Sequence, residues 1–215
     1  RKADVLYHSD CVQTFCKIDV DTNLFDAVSV SGHKIYGPKG VGAIYVNKSI
    51  EFSPLIPATK QERGVKAGTE NVSGIAAFAT AAKLLYAERT DEYIRIRDFK
   101  QSILNGLKER NIEFYSESDI NKTLPFILGL RFKGIEGQFL MLECSQAGLA
   151  ISTGSACQAG SQKPNKTMKA MHRSDDEAQE FVRLSFGKQN NEEQIEVIID
   201  KIATILTRHL EKIKF

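Results

Sequence analysis

Ten residues, SGHKIYGPKG (31–40), decide much of what this chain can become. Their three glycines and one proline cannot continue a helix or a central strand. On either side lie short apolar runs, AVSV (27–30) and GAIYV (42–46), that suit buried strands. A turn-rich loop between two strands presents its side chains at a sheet edge, where binding and catalytic groups concentrate. DVLY (4–7) predicts a further strand upstream.

Beyond residue 70 the pattern turns helical. VSGIAAFATAAKLL (72–85) is alanine-rich, with Asn71 and Ser73 as candidate caps. From 91 to 110, Ile94, Ile96, Phe99, Ile103, Leu104 and Leu107 fall near helical spacing and predict a second, amphipathic helix. PFILGLRF (125–132) reads as a strand, GQFLMLEC (137–144) as a helix, and 191–213 as a closing helix with Glu192 and Glu193 in its first turn. The change of pattern divides the chain into expected domains 1–85 and 86–215, an α/β part followed by an α+β part.

Bulk properties exclude several functions. A hydrophobic fraction of 42% with 26% charged residues is that of a globular protein. With 29 basic against 27 acidic side chains, the net charge of +2 creates no field for nucleic acid or an anionic membrane. No apolar run approaches the ~18 residues of a spanning helix. The four cysteines, Cys11, Cys16, Cys144 and Cys157, form no CxxC pair and have no histidines at ligand spacing, so neither a disulfide framework nor a metal site is expected. Free thiols suit a reducing, cytoplasmic setting. The opening Arg1-Lys2-Ala3-Asp4 reads as the interior of a longer protein.

The candidate chemistry begins with Lys34. An amine in a tight turn can bond an aldehyde, while Ser31, His33 and nearby backbone amides can hold an anion. Upstream, HSDCVQ (8–13) puts Asp10 and Gln13 after a strand. An amine, an anion cradle and a carboxylate for a pyridine nitrogen are what a pyridoxal-phosphate enzyme requires. Taken singly, Lys34 is as readily a solvated charge and Asp10 a loop carboxylate.

Four segments in order carry a more specific resemblance. SGHKIYGPKGVGAIYV, HSDCVQ, QERGVKAGTEN (61–71) and STGSACQAG (152–160) followed by VRLSFG (182–187) are similar to motifs of the class V aminotransferase group. Within it they most resemble cysteine desulfurases of the NifS/IscS type. The resemblance implies the C-terminal part of a fold-type I pyridoxal-phosphate-dependent transferase: part of the large-domain sheet, then an α+β small domain. It implies that Lys34 bonds pyridoxal 5'-phosphate, Asp10 pairs with the ring nitrogen and Gln13 contacts the ring oxygen. Ser31 and His33 would bind the cofactor phosphate, and Thr69 that of the partner subunit in a homodimer. Arg183 would clamp the carboxylate of L-cysteine. Cys157 would take the substrate sulfur as a persulfide, releasing L-alanine, and pass it to a scaffold or carrier protein for iron–sulfur clusters or tRNA thiolation.

Departures from the family pattern are local. PATKQERG lacks the usual preceding glycine run, Lys66 stands where arginine is common, and KQNNEEQIE follows VRLSFG. The cofactor-stacking histidine would lie upstream of Asp10, so the isolated chain is expected to be inactive. Two other readings remain: another class V enzyme, such as a selenocysteine lyase or aminotransferase, or an inactive dimerisation or partner-binding fragment.

Overall fold

The computed structural model describes residues 5–54, 56, 60–117, 119, 122–154 and 165–213. The chain divides into two compact units, Arg1–Asp91 and Glu92–Phe215.

The first unit is built on three strands in the order β1 (His8–Asp10), β2 (Ala27–Ser31) and β3 (Gly42–Val46). β1 lies parallel to β2 with Asp10 opposite Ser29, and β3 is antiparallel with Gly42 opposite Ser31. The two downstream strands match the apolar runs of the sequence. The first does not: the ladder is formed by HSD, not by DVLY. Val5, Leu6 and Tyr7 are exposed, and Tyr7 is engaged through its backbone, donating to Asp26 Oδ2 at 2.7 Å. An apolar run marks a buried strand only where something covers it, and register here follows the ladder with β2.

Cys16, Ile35 and Phe78 form the buried centre of this unit, flanked by Phe15, Val30, Val41, Ala81, Ala82 and Leu85. The last two alanines and Phe78 come from α1 (Val72–Glu109), whose small side chains let it approach the sheet. The sequence reading has two helices here; the structure has one. Residues 86–90 (YAERT) contain neither glycine nor proline, so the switch of apolar face occurs without a break. Asn71 caps this helix, its Oδ1 accepting from Gly74 N at 3.0 Å.

In the second unit, Phe99, Ile103, Leu104 and Leu107 of α1 join the core of an antiparallel sheet. Its strands are β4 (Tyr115–Ser116), β5 (Ile127–Arg131) and β6 (Phe181–Ser185), in that order. Leu140 and Cys144 of α2 (Gly137–Gln146) and Ile198, Ile199, Ile202, Ile205 and Leu206 of α5 (Glu193–Ile213) complete it. Between α2 and β6 lie α3 (Lys166–Ala170), capped by Asn165, and α4 (Asp175–Gln179), opened by a reciprocal Ser174–Glu177 capping box.

One polar cluster is buried beside this core. The Arg131 side chain, 5% exposed, pairs with Glu117 at 2.5 Å, Glu177 at 3.1 Å and Glu180 at 3.1 Å. Arg173 also reaches Glu117, at 2.8 Å. The cluster ties β4 and β5 to α4 and thereby steadies the strand that pairs with β6.

Candidate functional site

Because β1 and β2 are parallel, they end at the same edge of their sheet. Asp10 closes one and Ser31 closes the other. In α/β sheets, ligands gather outside such carboxyl ends. Past Ser31 the chain makes a 3-10 turn, Gly32–Lys34, closed by Ile35 N and Gly37 N, which donate to Gly32 O at 3.1 and 2.9 Å. Gly32 N donates to Val41 O at 2.9 Å, folding the loop back on β3. A Cβ at Gly32 would lie 3.1 Å from both Pro38 O and Val41 Cγ1, so a side chain there would crowd the loop against its neighbours.

Ile35 is the pin of the loop. It is 0% exposed, and anchoring it in the core leaves His33 and Lys34 exposed at the sheet edge. Ser31 Oγ and His33 Nδ1 share a hydrogen bond of 2.7 Å, pairing a hydroxyl with an imidazole beside the lysine. Asp10 Oδ1 accepts from Val12 N at 2.9 Å, which fixes the carboxylate against its own turn. Gln13 is exposed on the turn that follows. The structure thus gathers Asp10, Ser31, His33 and Lys34 on the loops at one sheet edge. Thr69 is exposed on the segment leading into α1. Before it, Glu62 and Arg63 occupy consecutive left-handed conformations, φ 45° and 56°.

Arg183 belongs to the second unit, on β6 opposite Gly129. Its backbone also pairs with Ser152: Arg183 N donates to Ser152 O at 2.6 Å and Ser152 N to Arg183 O at 3.0 Å. The guanidinium Nε is buried and has no hydrogen-bond partner among the described residues. A buried donor left unmade costs free energy, and an incoming carboxylate would satisfy it. Cys157 lies outside the described residues. The residues on either side of that segment are tied together, since Asn165 Nδ2 donates to Thr153 O at 3.1 Å.

The remaining thiols are poor nucleophiles. Cys11, Cys16 and Cys144 are buried, and burial, reinforced by the neighbouring Glu143, pushes the Cys144 thiol up to about 11. Among the described residues no group of three or more His, Cys, Asp or Glu could hold a metal ion, and no helix is long and apolar enough to cross a membrane.

The donor set fits one class of cofactor: an accessible amine for an aldehyde, a carboxylate for a ring nitrogen, and a hydroxyl–imidazole pair for a phosphate. Comparison with known proteins agrees. The family model for aminotransferase class-V matches residues 1–198. The chain belongs to this family. It is 43% identical over 199 residues to a protein of Bacillus subtilis (strain 168) named putative cysteine desulfurase NifS, covering 91% of this chain and 50% of that one. A solved NifS-like protein superposes with a TM-score of 0.83 at 31% identity, covering 95% of this chain and 53% of its own. A second, SspA in complex with cysteine, gives a TM-score of 0.66 at 30% identity, with 85% and 50% covered. The chain therefore spans about half the length of the relatives it matches.

Two features escaped the sequence reading. Lys17 sits half-buried in the turn after β1, and nothing in HSDCVQTFCK marks it as more than a surface charge. The Arg131 cluster joins residues far apart in sequence, and no local pattern marks it.

Proposed function

We propose that the protein carrying this chain is a pyridoxal-phosphate-dependent cysteine desulfurase, moving sulfur from L-cysteine to Cys157 and releasing L-alanine. The observation that carries the reading is the convergence of Asp10, Ser31, His33 and Lys34 at the shared carboxyl edge of β1 and β2. The unpartnered Arg183 Nε and the cysteine complex of SspA support the choice of substrate.

Pyridoxal phosphate, when bound, supplies an aldehyde for covalent capture and a ring that withdraws electrons from the captured amino acid. Lys34 would be the amine for that aldehyde and would carry the proton at the substrate Cα. Asp10 would keep a proton on the ring nitrogen, Gln13 would face the ring oxygen, and Ser31 with His33 would hold the phosphate. Thr69 contacts the phosphate of a second subunit in a homodimer. Arg183 grips the substrate carboxylate with two parallel N–H donors.

The Cys157 thiolate attacks the substrate sulfur. A sulfur–sulfur bond forms, the Cβ–sulfur bond breaks with its electron pair left on carbon, and that carbon takes up a proton on the way to alanine. The persulfide then passes its outer sulfur to an acceptor protein, in a cytoplasmic setting.

The test is alanine release from L-cysteine by the full-length protein supplied with pyridoxal phosphate. Native protein releases alanine; Lys34→Ala and Cys157→Ser do not. Alanine release that survives Cys157→Ser would move the assignment to a lyase that needs no protein thiol.

A further inference from the structure

Asn165 joins two pieces of the second unit through one side-chain amide. Its Oδ1 accepts from Thr167 N at 2.9 Å and Met168 N at 3.4 Å, and its Nδ2 donates to Thr153 O at 3.1 Å. Turned over, the amide would set oxygen against oxygen and donor against donor, so the contacts fix one orientation. The bonds to Oδ1 cap α3, which Met168 anchors in the core at 1% exposure. A Cβ built on Gly154 would lie 2.6 Å from Asn165 Nδ2, so the amide occupies space that a glycine leaves open.

The segment held in this way lies against Arg183. Ser152 and Arg183 exchange both backbone hydrogen bonds, at 2.6 and 3.0 Å, and a pair of that kind has its two side chains on one face. The bridge is isolated, so no longer ladder sets the direction in which the chain leaves it. Ser152 Oγ then donates to Gly154 O at 2.9 Å and accepts from Gly154 N at 3.3 Å, closing a turn. On the other side of Arg183 stands Gly129, covered by the Phe181 ring, since a Cβ there would come within 2.8 Å of Phe181 Cε2. Arg183, with its buried and unpartnered Nε among the described residues, thus has that ring on one side and the Ser152–Gly154 turn on the other.

We propose that Asn165 is a positioning residue for substrate recognition: by tying Thr153 to α3, it keeps the Ser152–Gly154 turn where the Arg183 guanidinium can meet a carboxylate. The inference rests on the reading of Arg183 as the residue that grips the substrate carboxylate. A two-point grip depends on the placement of everything around the fork, and a turn held by one isolated bridge needs a second fixed point.

Two variants of the full-length protein, loaded with pyridoxal phosphate, remove the donor and keep the cap. Asn165→Asp leaves an acceptor for Thr167 N and sets an oxygen against Thr153 O. Asn165→Ser caps equally well but carries no N–H. Steady-state kinetics with L-cysteine should show KM raised about fivefold in both, the factor equal to one net hydrogen bond. Their kcat and melting temperature should stay at the native values. In an Arg183→Lys background, where the two-point grip is already lost, Asn165→Asp should add nothing to KM.

Native KM in both variants would overturn the proposal, as would a fall in kcat with KM unchanged. A KM effect of Asn165→Asp that persists in full beside Arg183→Lys would also overturn it, because Asn165 would then act independently of the guanidinium. If Arg183→Lys alone leaves KM at the native value, the reading of Arg183 itself fails, and the role of Asn165 falls with it.

Discussion

Replacing Arg131 by methionine should destabilise the second unit by about 3–4 kcal/mol, the lower part of the range for breaking a buried ion pair from one side. The reason lies in what is left behind. The Glu117 side chain is only 4% exposed, and Arg131, 2.5 Å away, is its closest cation. Arg173 remains on Glu117 at 2.8 Å, but its side chain is 38% exposed, so it compensates in part. Glu177 and Glu180 each lose a partner at 3.1 Å, and they sit nearer solvent. For a unit of this size the loss corresponds to a fall in melting temperature of ~12–16 °C. Thermal and urea unfolding followed by circular dichroism would measure it. Adding Glu117→Leu should recover at least half of the loss, because no carboxylate then remains buried. A single variant within about 1 kcal/mol of native, or a double variant worse than the single, would refute the view that Glu117 depends on Arg131. The outcome bears on the site, since β5 carries Arg131 and pairs through Gly129 with Arg183.

Ile35→Ala should cost the first unit about 2–5 kcal/mol, because the side chain is fully buried, and should release the Lys34 turn to limited proteolysis. Cys16→Gly should be more stable than Cys16→Ala by about 1 kcal/mol in urea titration, since both lose the thiol but only glycine relieves φ 60°. Arg183→Lys should raise KM for L-cysteine about tenfold or more in steady-state assays, as one ammonium replaces a two-point grip on the carboxylate. The Cys144 thiol is held neutral in the fold up to about 11. Its contribution is complete below the unfolded thiol value of about 8.5 and is lost as pH rises toward the folded one, so native protein should lose stability faster than Cys144→Ala above pH ~9.

Where the sequence was legible, local chemistry spoke alone. β2 and β3 flank a glycine–proline loop and fell where their apolar runs stand, and the closing helix followed its periodic face. The grouping of the candidate site residues of the first unit has the same reason: Asp10, Ser31, His33 and Lys34 sit on two short segments whose strands are neighbours in the sheet. Legibility ended where a partner element decides. DVLY resembles a strand, yet the ladder chose the polar HSD; an apolar run cannot say what will cover it. The charged stretch near Glu88 looked like a link between helices, because periodicity changes face there, but without a breaker α1 runs on. Lys17 and the Arg131 cluster depend on contacts between distant segments, and a single sequence holds no record of those.

Whether sulfur lands on residue 157 is the most direct question to put to this protein. After brief exposure to L-cysteine and rapid alkylation, mass spectrometry should find one additional sulfur atom on the peptide bearing Cys157, absent when Lys34 is alanine. Sulfur carried instead by Cys11, Cys16 or Cys144, or gained equally by the Lys34→Ala protein, would contradict the account.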